Sequence, residues 1–191
     1  MKIHLGIVLA AGASSRMGSP KALLRPPDGI PLALHQIRLL ESGGCSKTAI
    51  VLGAEADRIA PELPGVRVIL NPAWESGRPS SVLAALKGAA DCEGMIILPV
   101  DTVGIRPETI KRVLEFSNTA DWPAVRPVCR GIRGKLVWIS SALSDEIIQK
   151  NYSERLDDLL ADRAFELEVD DPAILRNINT PKDWEEVSGQ L

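Results

Sequence analysis

The stretch that most constrains this chain lies near its start, Ile7 to Leu24, and reads IVLAAGASSRMGSPKALL. The apolar run from Leu5 to Ala10 has the length and β-branched content of a buried strand, and it stops at a glycine-containing turn. From Ala11 to Gly18 the residues are small or polar except Met17. Small residues let backbone N–H groups approach an anion closely, and successive N–H groups can form an anion-binding concavity. Arg16 stands inside this loop and Lys21 just after it. Arginine grips phosphate oxygens with a planar fork, whereas lysine places a compact point charge, so the pair suits a polyphosphate better than a neutral ligand. Two familiar phosphate loops are excluded by spacing. Gly12 and Gly18 are not followed by Lys-Ser/Thr as a Walker loop requires, and no G-x-G-x-x-G occurs.

The rest of the chain supplies a frame for such a loop. A length of 191 residues fits one domain, spanning 1–191, with about 70% of the unfolded surface buried. The net charge of −3 gives no whole-chain basic field, which argues against nucleic acid as a partner but leaves room for a local basic pocket. Met1-Lys2-Ile3-His4 runs directly into a strand pattern without a signal-peptide core, and no apolar stretch of about 20 residues follows, so the expectation is a soluble cytoplasmic protein with no membrane partner. Cys45, Cys92 and Cys129 lie far apart with no C-x-x-C spacing, which suits reduced thiols rather than disulfides or structural zinc. His4 and His35 are isolated and read as structural.

Element order follows from periodicity and punctuation. Pro31 is expected at the first position of a helix reaching Glu41, with Leu32, His35, Leu39 and Leu40 inward. Thr48–Leu52 and Val66–Leu70 read as strands around a helix at Ala54–Leu63. Alternating strands and helices call for a parallel sheet with right-handed crossovers. The loop from Asn71 to Ser81 leads into a helix expected at Val82–Ala89, with Ser80 or Ser81 as N-cap; the same hydroxyls and free N–H groups could instead contact a phosphate or a base edge. Gly94–Val100 is an apolar strand ending in Asp101, and the carboxyl end of a central parallel strand is where open α/β sheets bind ligands. Asp101 could hold Mg²⁺, which takes one or two carboxylates and completes its shell with water and phosphate, or it could cap the turn before Gly104. Further elements are expected as a helix at Pro107–Phe116, strands at Asp121–Val128 and Leu136–Ile139 joined by a cationic turn, helices at Ser141–Gln149 and Glu154–Ala161, a strand at Phe165–Val169, and a closing helix at Pro181–Val187 capped by Thr180.

Leu9-Ala10-Ala11-Gly12, Ser15-Arg16-Met17-Gly18 and Pro20-Lys21-Ala22-Leu23-Leu24 together resemble the signature L-A-A-G-x-x-x-R-M-G-x-x-K of nucleotidyltransferases, especially the MobA-like molybdenum cofactor group. The resemblance runs from about Ile3 to Val187. It implies a three-layer, Rossmann-like α/β fold with a mostly parallel central sheet and helices on both faces. It further implies transfer of a nucleotidyl group from a nucleoside triphosphate to a phosphorylated acceptor, with release of pyrophosphate. In that scheme Arg16 holds the departing phosphates, Lys21 the α-phosphate and Asp101 the Mg²⁺. The Leu9, Ala10, Ala11, Gly12 and Ala13 backbone seats base and ribose, and Gly77, Ser80 and Ser81 face the nucleotide. Within the group L-A-A-G goes with cytidine and L-A-G-G with guanosine, so Ala11 favours CTP, with molybdopterin as the acceptor. Three segments depart from the pattern. Val100-Asp101-Thr102-Val103 replaces G-D-x-P, Gly134-Lys135-Leu136 replaces G-H-P, and Asn177 and Asn179 replace the two acids of the tail D-I-D-T-P. Asn179 is the expected second metal ligand. A sugar-1-phosphate nucleotidyltransferase and a non-catalytic nucleotide-binding relative are the alternatives.

Overall fold

The computed structural model describes residues 3–89, 92–151 and 154–191, so Met1 and Lys2, where the N-terminal strand pattern opens, lie outside the described residues. Among the described residues eight strands form one sheet: β1 (His4–Ala10), β2 (Lys47–Leu52), β3 (Val68–Leu70), β4 (Gly94–Pro99), β5 (Ala124–Cys129), β6 (Ile132–Arg133), β7 (Val137–Ser140) and β8 (Ala164–Glu168). Their order is β3-β2-β1-β4-β7-β5-β6, with β8 also paired to β5. The pairs β3/β2, β2/β1, β1/β4 and β5/β8 are parallel, whereas β7 runs antiparallel to both β4 and β5. The sheet is therefore mostly parallel, as expected, with β7 reversed beside β4 and the short β6 reversed at the edge beside β5.

Continuous apolar runs mark strands buried on both faces. All seven residues of β1 and all six of β4 are buried. Val8, Ala10, Ile96 and Leu98 point to the layer that holds α1 (Leu32–Ser42), α2 (Ala56–Ile59), α4 (Pro107–Ser117) and α7 (Pro181–Val187). Leu5, Ile7, Leu9, Met95 and Ile97 point to the layer of α3 (Arg78–Gly88), α5 (Ser141–Lys150) and α6 (Leu156–Leu159). The α1 crossover leads from β1 outward to β2, and the α3 crossover leads back past β1 to β4. Connections thus change direction between β1 and β4, which opens a crevice at the carboxyl ends of these strands.

Several boundaries differ from the sequence expectation for local reasons. Pro31 is the N-cap of α1 rather than its first residue, with an extended ψ of 139°. The inward face of α1 is Leu32, Ala33, Gln36, Ile37 and Leu40; His35 turns instead to Asp28, 3.1 Å away. The helix expected at 54–63 keeps only four α-helical residues before a 3-10 turn, Ala60–Glu62, because Pro61 has no N–H to continue the ladder. α3 starts four residues early, capped by Gly77, so Ser80 and Ser81 sit in its first turns and neither is the cap. The cationic turn after β5 contains β6, closed by Arg130 and Gly131, both with positive φ as a tight hairpin requires. The chain then rejoins the sheet as β7, after Gly134 donates to the carbonyl of Pro127.

Gly94 opens β4 where β7 crosses closely. A Cβ there would lie 2.4 Å from Trp138 Cζ2 and 2.6 Å from the Ile139 carbonyl oxygen. Gly94→Ala is expected to lower stability by about 1–3 kcal/mol, the usual cost of overpacking, as measured by urea unfolding.

Candidate active site

The loop after β1 is shaped by a few backbone bonds. Ala11 accepts from the Ala54 N–H, Ser14 adopts the left-handed region at φ 52°, and Met17 N–H donates to Ser14 O at 2.8 Å. Met17 is buried and ties the loop to the core, while Arg16 beside it is exposed. Ser14 Oγ accepts from the Lys21 N–H at 3.1 Å, which fixes the start of the 3-10 turn Lys21–Leu23. Gly12 needs its missing side chain neither for packing nor for backbone conformation. A Cβ there meets nothing within 4 Å, so the open space above it belongs to the cleft.

Lys21 reaches across this cleft. Its Nζ donates to Asp101 Oδ2 at 2.8 Å and to Asn179 Oδ1 at 3.2 Å. Asp101 stands in a turn held from both sides, because Gln36 Nε2 donates to the carbonyls of Val100 at 3.1 Å and Thr102 at 2.7 Å. The Asp101 carbonyl in turn accepts from Ile178 N–H at 2.9 Å. Asn177 is spent on Thr102, whose hydroxyl donates to Asn177 Oδ1 at 2.9 Å. Asn179 is therefore the asparagine that joins Asp101 at the cleft. Its own N–H donates to Asp183 Oδ2, as does that of Thr180, in a capping box that starts α7. These bonds from Asn179 and then Thr180 hold the Asp183 carboxyl below the usual carboxylate range.

The cleft has a volume of about 330 Å³. Leu9, Ala10, Ala11, Gly12, Arg16, Lys21, Gly77, Ser81, Asp101 and Asn179 line it, so most of the residues expected from sequence meet here. Ala13 and Ser80 are not part of its wall. Ser80 Oγ donates to Gly77 O and accepts from Asn71 Nδ2, a local role within the turn. Gly77 adopts φ 88° with ψ −171°, a conformation open to glycine almost alone. Trp74 and Arg78 also line the cleft and escaped the sequence reading. Arg78 follows directly on the glycine that caps α3, and only the early start of that helix brings it to the cleft wall. Arg16, Lys21 and Arg78 against Asp101 make the cleft locally cationic although the chain is acidic overall. The cysteines stand apart from it; Cys45 is buried, and burial followed by the nearby Glu41 pushes its thiol up to about 12.

Asp101 and Asn179 present two hard oxygen donors to one cationic point, a partial donor set of the kind Mg²⁺ uses when phosphates and water complete its shell. Among the described residues no three His, Cys, Asp or Glu side chains converge on a metal position, so a metal bound only by protein acids has no site there.

A glycine loop, three cations and a carboxylate meet at the switch point of a mostly parallel sheet, the place where open α/β domains bind ligands. The profile of the MobA-like NTP transferase domain matches residues 6–168, and the chain belongs to that family. It is 38% identical over 112 residues to a nicotine blue oxidoreductase of Paenarthrobacter nicotinovorans, covering 57% of this chain and about half, 54%, of that protein. It is 26% identical over 186 residues to a molybdenum cofactor guanylyltransferase of Cupriavidus metallidurans, covering 92% of this chain and 89% of the relative. It is also 26% identical over 182 residues to the molybdenum cofactor cytidylyltransferase of Escherichia coli, with 93% and 92% covered. A nucleotidyl transferase structure from Methanothermobacter superposes with a TM-score of 0.82 at 22% identity, over 98% of this chain and 97% of that one, which supports the fold.

The Asp183 bonds need the carboxylate form. Their contribution is complete above the ordinary carboxylate pKa and is lost as pH falls through the lowered value. The melting-temperature difference between wild type and Asp183→Ala is therefore expected to be full at neutral pH and to shrink on acidification, followed by circular dichroism.

Proposed function

We propose that the chain is a nucleotidyltransferase that moves a nucleotidyl group, CMP from CTP, to the phosphate of an acceptor of the molybdopterin class. The observation that carries this reading is the convergence of Arg16, Lys21 and Arg78 on the open space above Gly12, beside Asp101 and Asn179. An acceptor phosphate oxygen attacks the α-phosphorus in line, a new O–P bond forms, the bond from the α-phosphorus to the bridging oxygen breaks, and pyrophosphate leaves with the bonding electrons. The protein has little covalent work to do here; positioning and charge neutralisation lower the barrier. Arg16, exposed on the loop, forks onto the departing β- and γ-phosphates. Lys21, anchored through its backbone by Ser14, meets the charge that grows on the α-phosphate. The turn at Ala11 and Gly12, where β1 ends at the cleft, seats base and ribose. Arg78, at the start of α3, is suited to the acceptor's phosphate. Mg²⁺, bound through Asp101 and Asn179, would supply the remaining positive charge to the phosphate oxygens.

The choice of CTP rests on the resemblance, in which L-A-A-G, with Ala11, goes with cytidine; relatives of similar identity are named for guanylyl and for cytidylyl transfer. Among the described residues no helix is long and apolar enough to cross a membrane, which is compatible with a cytoplasmic role.

The test is pyrophosphate release from CTP, GTP, UTP, dTTP and ATP with Mg²⁺, each paired with molybdopterin or a sugar 1-phosphate. Release from CTP with molybdopterin alone is expected, and Lys21→Ala should lose at least about 100-fold in rate, the scale of one removed transition-state charge contact. Release only with a sugar phosphate would move the chain to that class of acceptor. Because one relative is named an oxidoreductase, NADH and NADPH belong in the same panel; their turnover without pyrophosphate would sink the transfer reading.

A further inference from the structure

We propose that Lys21 is the resident counter-ion of the metal cradle, and that a divalent cation enters only after the phosphates of a bound nucleotide have drawn this lysine away. The inference rests on the cleft's being a nucleoside triphosphate site and adds an order of assembly to it.

The ammonium of Lys21 stands on the two oxygens that a metal would use, 2.8 Å from Asp101 Oδ2 and 3.2 Å from Asn179 Oδ1. A divalent ion of Mg²⁺ size binds such oxygens at about 2.0–2.1 Å, so it would sit against the ammonium; the two cations cannot share the cradle. The pair is also sheltered. The Lys21 side chain is 12% exposed and that of Asp101 28%, so water screens their attraction only in part.

Which part can move is written in the surrounding bonds. Asp101 is clamped through its neighbours by Gln36 and through its own carbonyl by Ile178. Asn179 is fixed by Asp183, and the Lys21 backbone by Ser14. The four-carbon stem of Lys21 is the free element, and its ammonium still has a third N–H to offer after serving both oxygens.

Charge counting gives the direction. Asp101 contributes one negative charge, Asn179 none, and Lys21 cancels the sum. A divalent ion arriving alone finds a neutral cradle with a cation in it. Triphosphate brings several negative charges to the same place, so Lys21 can turn to a phosphate oxygen while the metal takes Asp101 and Asn179. Substituting an acid for Asn179 would leave the cradle net negative even with Lys21 in place.

Mn²⁺ binding to the full chain, followed by the electron paramagnetic resonance signal of free Mn²⁺, tests this without turnover. Wild type is expected to bind Mn²⁺ weakly alone and at least about 10-fold tighter with a non-hydrolysable CTP analogue, a coupling of ordinary size. Lys21→Met should bind Mn²⁺ about 10-fold tighter than wild type in the absence of nucleotide, and Asp101→Asn in the same background should remove that gain. Asn179→Asp should also tighten nucleotide-free binding, and it decides the matter if Lys21→Met does not fold. Equal or weaker nucleotide-free binding by a folded Lys21→Met, or by Asn179→Asp, would overturn the proposal. The gain in Mn²⁺ affinity is independent of pyrophosphate release, so a chain inactive with every triphosphate could still display it, and an active one could lack it.

Discussion

The cleft depends on one buried amide. Gln36, 3% exposed on the inner face of α1, spends its Nε2 donors on the carbonyls of Val100 and Thr102. A polar side chain in that position costs free energy unless it is bonded, and an unbonded carbonyl at the end of β4 would cost as much again. Each satisfies the other, and the turn between the two carbonyls can then project Asp101 in one direction only. The C-terminal segment docks on the same turn: Val103 donates to Arg176, and Ile178 to Asp101. Asp171 secures that segment further back, accepting from the Arg106 N–H and the Thr109 hydroxyl at the start of α4 while it caps the turn Pro172–Leu175. α1, the end of β4, α4 and the tail are therefore bonded as one unit, from which Asp101 and Asn179 reach the cleft.

Much of this arrangement could be read from the chain because it follows from local rules. β1 and β4 are runs of apolar residues that only a sheet covered on both faces can bury, and they were legible as such. Thr180 followed by Pro181 and Asp183 announced the start of α7, and the capping box formed there. The start of α3 was misread for a local reason. At residues 77–81 a glycine, a proline and two serines each carry a start signal, and hydroxyl chemistry favoured the serines. The glycine prevailed because the chain has to reverse from the turn at Trp74–Ser76 into α3, a step that needs its φ of 88°. Once α3 began at Arg78, that arginine was carried to the cleft wall, and no periodicity within the segment could have revealed it.

His35 and Gln36 show the same limit on a helix. Adjacent positions on α1 differ by about 100° around its axis, and a leucine-based face can be drawn through either. What places Gln36 inside is the pair of carbonyls waiting across the core, 64 and 66 residues away in sequence. Such a long-range partner leaves no trace in local hydrophobicity. Polar residues with core addresses are thus the ones that sequence patterns assign least well, and here one of them organises the cleft.

The two asparagines of the tail complete the argument. Residues two apart on an extended segment share a face, and Ile178 between them is fully buried on the other. Asn177 meets Thr102 and Asn179 meets Lys21, so the same side-chain chemistry serves a structural bond at one position and the cleft at the next. A carboxylate at position 179 would put two negative charges beside one lysine. With an amide there, Lys21 alone neutralises Asp101. Arg16 and Arg78 also line the cleft, beside the open space above Gly12, and give it a local positive field that favours an anionic ligand.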